Sequence, residues 1–346
     1  MSDHRVVVIG AGMGGLASAL RLAQQGLQVT VVEAGAAPGG KLRQLQVNGA
    51  PVDSGPTVFT MRWVFDQLLA AVGTTLEAEL RIRPLQVLAR HWWDDGSQLD
   101  LHADPAASLD AVGRFAGAAE AQRFARFCSR ARAVYQTLET PYMRQPQPHP
   151  VRLTRDIGLQ GLATLTALGP LTSLWSSLGR QFTDPRLRQL FARYATYTGS
   201  SPWQAPATLM LIAQVEMDGV WSIDGGMHAL AACLERLARA RGAVFHYGRR
   251  CERIELHQGR VSGVRLAGGE YVEVPMDGVH VDGNLVTAAD QSNERKAKSH
   301  TVGVNWYVNE AVKVSANYIN VRTDNNENTV GDDSGNAIVT RLQYVF

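Results

Sequence analysis

A run of closely spaced glycines directly after the first apolar segment constrains the fold of this chain more than any other feature. Residues 5–10, RVVVIG, have the β-branched composition of a short strand that is buried on both faces of a parallel sheet. Gly10, Gly12 and Gly15 give the pattern GxGxxG, and the residues that follow have the apolar spacing of a helix. A second strand, QVTVVE, ends at Glu33. This order of strand, glycine turn, helix and strand predicts a βαβ unit of an α/β fold.

The same residues predict a dinucleotide site on physical grounds. Gly10 permits the tight turn, Gly12 lets the backbone approach a pyrophosphate, and Gly15 lets the helix pack close to the strand. The helix N-terminus offers unpaired N–H groups and a partial positive charge to the phosphates. Glu33 is placed to accept hydrogen bonds from a ribose, and its carboxylate repels a 2′-phosphate, which disfavours NADP.

The residues after Glu33 distinguish FAD from NAD. Gly39, Gly40 and Lys41 follow the acid, and the segment PVDSGPTVFT follows at residues 51–60. This pattern resembles the FAD-binding flavoproteins of the amine oxidase and carotenoid desaturase superfamily, and so implies FAD as the cofactor and a Rossmann-like, two-dinucleotide-binding fold. Lys41 stands where those proteins usually have Arg, and keeps the cation but not the fork geometry. The candidate cofactor-binding residues are Gly10, Gly12, Gly14, Gly15, Glu33, Gly39, Gly40, Lys41, Gly55, Pro56, Thr57 and Cys251.

Two later blocks, residues 182–221 and 222–270, narrow the resemblance. Read locally, the first block predicts a helix that Asp184 caps and that has Pro185 in its first turn. Both blocks resemble bacterial phytoene-desaturase-type enzymes, most closely the hydroxycarotenoid (methoxyneurosporene type) desaturases. In those relatives the strand equivalent to RRCERIE passes the FAD adenine, which makes the backbone near Cys251 a candidate contact. A packed strand residue is the equal alternative for Cys251.

The resemblance implies an enzyme that oxidises a carbon–carbon single bond of an acyclic (hydroxy)carotenoid, an apolar polyene. The flavin takes the hydride, and a base or solvent takes the proton. No catalytic residue is assigned, because no nucleophile–base pair is evident and His228 fits a helix residue better than an acid or base. No metal-ligand spacing occurs, and the net charge of +2 indicates no nucleic acid partner. Another flavoenzyme of the superfamily, such as an amine oxidase, is the alternative.

The three cysteines and the first residues predict a cytoplasmic protein, because the cysteines are widely spaced and no secretory leader pattern is present. Residues 157–179 contain no charged residue, and leucine recurs at every third position from Leu159 to Leu174. A buried helical pair is the favoured interpretation of this segment. Short helices in peripheral contact with the inner membrane are the other. The oligomeric state stays open.

The composition changes abruptly near residue 275. Asparagine occurs once before this point, at Asn48, and ten times after it. Apolar residues then alternate in TVGVNWYV, AVKVSANYINV and AIVTRLQYVF, which predicts antiparallel strands joined by a turn at Asn309 and by a polar loop. With its terminal Phe346, this tail resembles the C-terminal strands of a phosphate-selective outer-membrane porin.

We therefore expect a hybrid chain, whether by gene fusion, by an assembly artefact or by design. Residues 1–274 would form the FAD-binding and partial substrate domain of a desaturase, truncated because its relatives continue to a glycine-rich segment that returns to the flavin. Residues 275–346 would form the porin-like tail. A non-enzymatic, porin-derived membrane fragment is the second alternative for the whole chain.

Overall fold

The computed structural model describes the backbone of residues 5–144, 150–167, 172–257, 260–273, 280–282, 285–287, 295–309, 312–325 and 333–344. Side chains are described within residues 5–144, 156–159, 161–166, 172–255 and 261–273. The chain divides into two units. Unit 1 comprises residues 1–85 and 219–291, and unit 2 comprises residues 86–218 and 292–346.

Helices and strands alternate through the first 273 residues, and the described residues after them form strands. The helices are α1 (Met13–Gln24), α2 (Arg62–Ala70), α3 (Leu76–Glu79), α4 (Pro105–Ala116), α5 (Ala118–Leu138), α6 (Pro150–Ala167), α7 (Leu174–Gln181), α8 (Pro185–Ala192), α9 (Leu211–Met217) and α10 (Met227–Arg239). A π-helical turn, Glu139–Met143, and two 3-10 helices, Arg193–Thr198 and Ala207–Met210, supplement them. The strands are β1 (Arg5–Ile9), β2 (Gln28–Val32), β3 (Gln44–Val47), β4 (Ala50–Asp53), β5 (Ile82–Pro84), β6 (Val87–Trp92), β7 (Gln98–His102), β8 (Trp221–Ile223), β9 (Val244–His246), β10 (Cys251–His257), β11 (Arg260–Leu266), β12 (Tyr271–Glu273), β13 (His280–Asp282), β14 (Leu285–Thr287), β15 (Arg295–Asn309), β16 (Val312–Asn325) and β17 (Asp333–Tyr344).

A five-stranded sheet in the order β14, β13, β1, β2, β9 forms the centre of unit 1. β13, β1, β2 and β9 run parallel, and β14 is antiparallel. Val6 and Val8 of β1 pack with α1 and α10 on one face, while Val7 packs with Val264 and Leu266 of β11 on the other. Burial on both faces explains why this strand is a continuous apolar run. The predicted order of strand, helix and strand is confirmed.

Smaller antiparallel pairs complete unit 1. β3 pairs with β4, β5 pairs with β8, and β10, β11 and β12 form a three-stranded sheet. The β3–β4 hairpin carries the segment that leads from Lys41 to Gly55, and its Leu45, Val47 and Val52 side chains are exposed.

Unit 2 packs its helices beside the β6–β7 hairpin around an aromatic core. Phe127, Phe182 and Phe191 are almost fully buried and in ring contact with one another. The cap predicted for α8 is confirmed, because the Asp184 carboxylate accepts a hydrogen bond from the Arg186 N–H at 2.8 Å and Pro185 occupies the first turn. Sequence-local signals are therefore sufficient to place α8.

Residues 157–179, which contain no charged residue, are buried in one part and exposed in another. Leu174 of α7 is fully buried, so the buried-pair interpretation is confirmed there. In α6, which contains a kink at Gly158, the same interpretation is wrong for Leu159 and Leu162, which are 89% and 41% exposed, while Leu165 is partly buried against the core of unit 2. Leu168 and Leu171 lie outside the described residues. None of the helices within the described ranges combines the length and the apolarity needed to cross a bilayer.

The last three strands form their own antiparallel sheet, in the order β15, β16, β17. The register pairs Trp306 with Val314 and Val314 with Leu342, so the alternating residues of the three strands share a face. The antiparallel tail is confirmed, and β15 begins six residues before the predicted segment at Thr301. The predicted terminal residue, Phe346, lies outside the described residues.

Candidate nucleotide-binding site

The turn between β1 and α1 is built from glycine backbone. Gly10 has a φ of +95°, a conformation that side chains other than glycine disfavour, and its N–H donates to the Val32 carbonyl at 2.8 Å. A Cβ on Gly15 would lie 1.9 Å from the Gly10 carbonyl oxygen. The close helix packing predicted for Gly15 is therefore confirmed.

Gly12, at the N-cap of α1, faces open space instead. Its φ is −71°, and a Cβ at this position would meet no heavy atom within 4 Å. No side chain caps this helix end. The first N–H groups of α1 and its partial positive charge are therefore available to an anion that approaches the open side of Gly12.

The segment that follows β2 forms the facing wall. The Gly39 N–H donates to the Ala11 carbonyl at 2.8 Å, and a Cβ on Gly40 would lie 3.2 Å from the Gly12 Cα. A Cβ on Gly55 would lie 1.8 Å from the Lys41 carbonyl oxygen. Both crossings are between backbones; only glycine fits at Gly55, and the φ of +58° together with the close approach favours glycine at Gly40.

Between these walls lies a cavity of about 490 Å³, which we call the glycine cleft. Seven predicted cofactor-binding residues line it: Gly10, Gly12, Gly14, Gly15, Gly39, Lys41 and Pro56. Gly40 and Gly55 are not among the lining residues and lie at the close crossings described above. Thr57 is exposed and does not line the cleft. The fold thus brings together residues that are up to 46 positions apart in sequence.

Glu33 reaches the glycine turn from the end of β2. One carboxylate oxygen accepts a hydrogen bond from the Ala11 N–H at 2.6 Å, and the other accepts from the Gly35 N–H at 2.6 Å. An ionised carboxylate accepts about four hydrogen bonds, so capacity remains for two more donors. Two backbone N–H groups therefore hold the Glu33 carboxylate, the predicted ribose ligand, in a fixed orientation.

Cys251 lies apart from the glycine cleft, at the start of β10. It pairs with Leu266 and packs beside the buried cluster that contains Val7 and Val32. Burial raises the pKa of the Cys251 thiol, so the side chain is a neutral packing group. This packing agrees with the alternative of a packed strand residue, while a backbone contact to adenine stays a prediction.

Asp53 has a role that the sequence did not reveal. Its Oδ2 accepts a hydrogen bond from the Met227 N–H at 2.6 Å, and its Oδ1 accepts from Gln44 Nε2 at 3.1 Å. A Cβ on Gly226 would lie 2.3 Å from Asp53 Oδ2. Asp53 thus caps the N-terminus of α10 from a segment that is distant in sequence. This hydrogen bond connects α10 to the segment between Lys41 and Gly55.

The prediction that His228 is a helix residue is confirmed. His228 is the second residue of α10, and its Nδ1 lies 2.8 Å from the Leu42 carbonyl oxygen. This contact is a second tie between α10 and the segment after Lys41.

A polar network within unit 2 was also missed. The Glu216 carboxylate receives two hydrogen bonds from Arg193, at 2.7 and 2.9 Å, and one each from Tyr194 and Tyr197, at 3.1 and 3.0 Å. Burial, and secondarily the negative charge of Glu216, raises the pKa of Tyr194 well above its usual range. Burial, with the Arg193 cation, lowers the pKa of His91 to about 4. The Glu216 carboxylate in the helical core is therefore neutralised by Arg193 and hydrogen-bonded by two tyrosines.

Known proteins resemble both the larger N-terminal part of the chain and its C-terminal tail. The chain spans about half the length of the curated relatives it matches. A hydroxyneurosporene desaturase from Rubrivivax gelatinosus is 56% identical over 286 residues, which are 82% of this chain and 54% of the relative. A phytoene dehydrogenase from Streptomyces griseus is 38% identical over 80% of this chain and 53% of the relative. Residues 279–346 match the family described as phosphate-selective porin O and P, which confirms the resemblance of the tail.

Solved structures share the fold. A triple mutant of putrescine oxidase aligns over 80% of this chain and 57% of its own, with a TM-score of 0.53 and 20% identity. An oxidoreductase from Methanosarcina mazei aligns over 80% and 58%, with a TM-score of 0.51 and 21% identity. The predicted flavoprotein fold is thereby confirmed. Because the sequence profile of flavin-containing amine oxidoreductases matches residues 13–290, the chain belongs to that family.

Proposed function

We propose that this chain functions as an FAD-dependent oxidoreductase that desaturates a carbon–carbon bond of an acyclic (hydroxy)carotenoid. The observation that carries the proposal is the 56% identity to a hydroxyneurosporene desaturase over 82% of the chain. The substrate is then an apolar polyene, and the chemistry is removal of a hydride and a proton from adjacent carbons.

The glycine cleft fits the pyrophosphate and ribose of FAD. A Cβ on Gly12 would meet no atom within 4 Å, so a diphosphate is free to approach the N-terminus of α1 on that side. Lys41 lines the same cleft and supplies a cation, while Glu33 presents acceptors for ribose hydroxyls. The residues proposed to hold FAD are those of the sequence prediction: Gly10, Gly12, Gly14, Gly15, Glu33, Gly39, Gly40, Lys41, Gly55, Pro56, Thr57 and the backbone near Cys251.

When bound, FAD would supply a hydride acceptor. The residues of this chain bind and orient it. The bonds from Ala11 and Gly35 fix the Glu33 carboxylate, and the contact between Gly10 and Gly15 fixes the direction of α1. No catalytic residue is proposed.

The division into residues 1–274 and 275–346 is part of the proposal, with the cofactor and substrate functions in the first segment. Cytoplasmic location with peripheral contact at the inner membrane is also part of it. The exposed Leu159 and Leu162 of α6 support membrane contact, because leucines exposed along a short helix are suited to the interface of a bilayer.

Absorbance spectroscopy of the purified full chain tests the cofactor, with flavin bands expected either directly or after addition of FAD. Gly12→Ala places a methyl group in the cleft and should weaken FAD binding. Gly113→Ala, within α4, is the matched control, because its Cβ would make only an ordinary 3.6 Å contact with the Ala121 side chain of α5. Folded protein that binds no FAD would contradict the proposal.

Activity requires a separate assay. Anaerobic incubation with an acyclic hydroxycarotenoid and FAD should shift the polyene absorbance to longer wavelength, because desaturation extends the conjugation. An unchanged spectrum with FAD bound would contradict the desaturase assignment and leave the cofactor assignment intact.

A further inference from the structure

Helix α10 begins without a capping side chain of its own. Gly225 and Gly226, with φ of +87° and +80°, lead into the helix, and Gly226 occupies the N-cap position. Because glycine has no side chain, the first N–H groups of the helix need an acceptor from elsewhere in the chain. Asp53 supplies one, since its Oδ2 accepts a hydrogen bond from the Met227 N–H at 2.6 Å. The start of α10 is therefore connected to the end of β4.

Gln44 joins the same contact from the start of β3. Its Nε2 donates to Asp53 Oδ1 at 3.1 Å and to the Gly225 carbonyl oxygen at 3.0 Å. Gln44 and Asp53 are partners in the register of the β3–β4 hairpin. The Asp53 carboxylate is also favourable where it lies, because the N-terminus of a helix carries a partial positive charge. Hydrogen bonds from both strands thus hold the hairpin against the start of α10.

A second contact joins α10 to the segment just before the hairpin. His228 Nδ1 lies 2.8 Å from the Leu42 carbonyl oxygen, which only accepts, so the ring N–H donates there. A Cβ on Gly39 would lie 3.2 Å from His228 Nδ1 and 3.3 Å from the Ala231 Cβ, so the backbone at Gly39 packs directly on the helix. Gly39, Lys41 and Leu42 all line the glycine cleft. One wall of the cleft therefore rests on α10.

The opposite wall, which is the glycine turn at the start of α1, is supported by the same helix. α1 and α10 pack against each other in unit 1. Leucines from both helices are fully buried in one cluster: Leu16, Leu20, Leu230 and Leu234. Both walls of the cleft thus share α10 as their support, and the spacing between the walls depends on how that helix is held.

We propose that Asp53 and His228 are positioning residues for FAD, which fix the two walls of the glycine cleft through α10. Neither is among the residues that line the cleft, so each acts on a ligand indirectly. A wall that is already held in place does not have to be ordered when the ligand binds, and the affinity is higher for that reason. The inference rests on the proposed function for the identity of the ligand, and adds two residues on which its affinity depends.

Fluorescence titration of the full chain with FAD tests this role, with Val72→Ala as the control. Val72 is buried in the core of unit 1 and is not among the lining residues, so the control lowers the stability of the same unit without releasing the wall. Asp53→Ala should raise the Kd for FAD about tenfold, as expected if about one molecule in ten keeps the wall in place. Asp53→Asn retains an acceptor for the Met227 N–H and should stay within about twofold of the wild type, as should Val72→Ala.

Hydrogen exchange gives a second readout, which a purely structural cap would leave unchanged. Because coupling between two sites is reciprocal, bound FAD should slow the exchange of amides in the first turn of α10 in the wild type. This slowing should be retained in Val72→Ala and lost in Asp53→Ala. Exchange in this turn that does not respond to bound FAD would overturn the inference.

The affinities separate this inference from the cofactor assignment. If the wild type binds FAD, and Asp53→Ala binds it as tightly as Val72→Ala does, only the inference is overturned. If the wild type binds ADP but not FAD, only the cofactor assignment fails, and the same comparison is made with ADP, which shares its diphosphate and ribose with FAD. If the wild type binds neither, both are overturned. Should circular dichroism show that Asp53→Ala is unfolded, His228→Ala replaces it with the same expected loss, because it removes the contact with Leu42.

Discussion

Gly15→Ala is the sharpest test of how the glycine turn holds unit 1 together. The substitution adds one methyl group to α1 at its third residue, where its carbon would lie 1.9 Å from the Gly10 carbonyl oxygen. Alanine is otherwise the better helix former by about 1 kcal/mol, so propensity alone predicts a more stable protein. Packing and propensity therefore predict opposite signs.

The magnitude follows from how far the two backbones must separate. Carbon and oxygen need at least 3.0 Å, so the turn and the helix must separate by about 1 Å. Gly10 cannot retreat freely, because its N–H is bonded to Val32 at 2.8 Å and its φ is +95°. Overpacking of this kind costs about 1–3 kcal/mol, and the clash with backbone places this site at or above the upper end. After the gain in propensity, we expect a net loss of about 2 kcal/mol.

Thermal unfolding of the wild type, Gly15→Ala and Gly12→Ala measures this loss. A loss of about 2 kcal/mol lowers the Tm by about 4–8 °C in a domain of about 150–250 residues, which is the size class of unit 1. Gly12→Ala should unfold within about 1 °C of the wild type, because a Cβ there meets no atom within 4 Å. A Gly15→Ala variant as stable as Gly12→Ala would refute the reasoning, since it would mean that the turn and the helix are not in contact.

Substitutions at three further positions test the glycine cleft and the two units. Glu33→Gln should weaken FAD binding about tenfold by calorimetry, because one charge-assisted acceptor for the ribose is lost, and unchanged affinity would exclude Glu33 as the ribose ligand. Asp53→Ala should lower the free energy of unfolding by about 2 kcal/mol in urea, while Asp53→Asn retains an acceptor for the Met227 N–H and most of the stability; equal losses would contradict the capping role. His91 has a folded pKa of about 4 and an unfolded pKa of about 6.5, so the unfolded state binds the proton first and stability should fall as the pH drops from 6.5 to 4. His91→Gln should flatten that part of a urea-midpoint profile, and a profile that keeps its slope would assign the pH dependence to other groups.

The first βαβ unit was predictable because its determinants are local. The roles of Gly10 and Gly15 follow from the geometry of one turn, and the continuous valines of β1 follow from burial on both faces. Asp184 and Pro185 likewise specify the start of α8 without reference to the rest of the chain. Backbone rules of this kind act over a few residues and can be read in sequence order.

The ties between distant segments could not be predicted in the same way. Asp53 bonds to Met227 across 174 positions, and Arg193 meets Glu216 only after α9 has folded back. An aspartate at the end of a strand and an arginine on a helix are both most often solvated, so neither residue type indicates a buried partner. The exposure of Leu159 has the same origin, because periodicity defines an apolar stripe but not the element that covers it.

The segment where the two family matches meet shows why a strand can be placed without its family being decided. Residues 279–290 belong to both matches, and β13 lies within them, parallel to β1 with Val8 beside Val281. A short strand beside a parallel sheet pairs mainly through its backbone, and a β-branched residue suits that position whatever its origin. The backbone pairing of β13 is therefore compatible with either lineage. Side-chain requirements are more selective, and in the glycine cleft two wrong Cβ atoms would collide with carbonyl oxygens at 1.8 and 1.9 Å. The surroundings of Gly15 and Gly55 therefore restrict the residue type more strictly than the backbone pairing of β13 does.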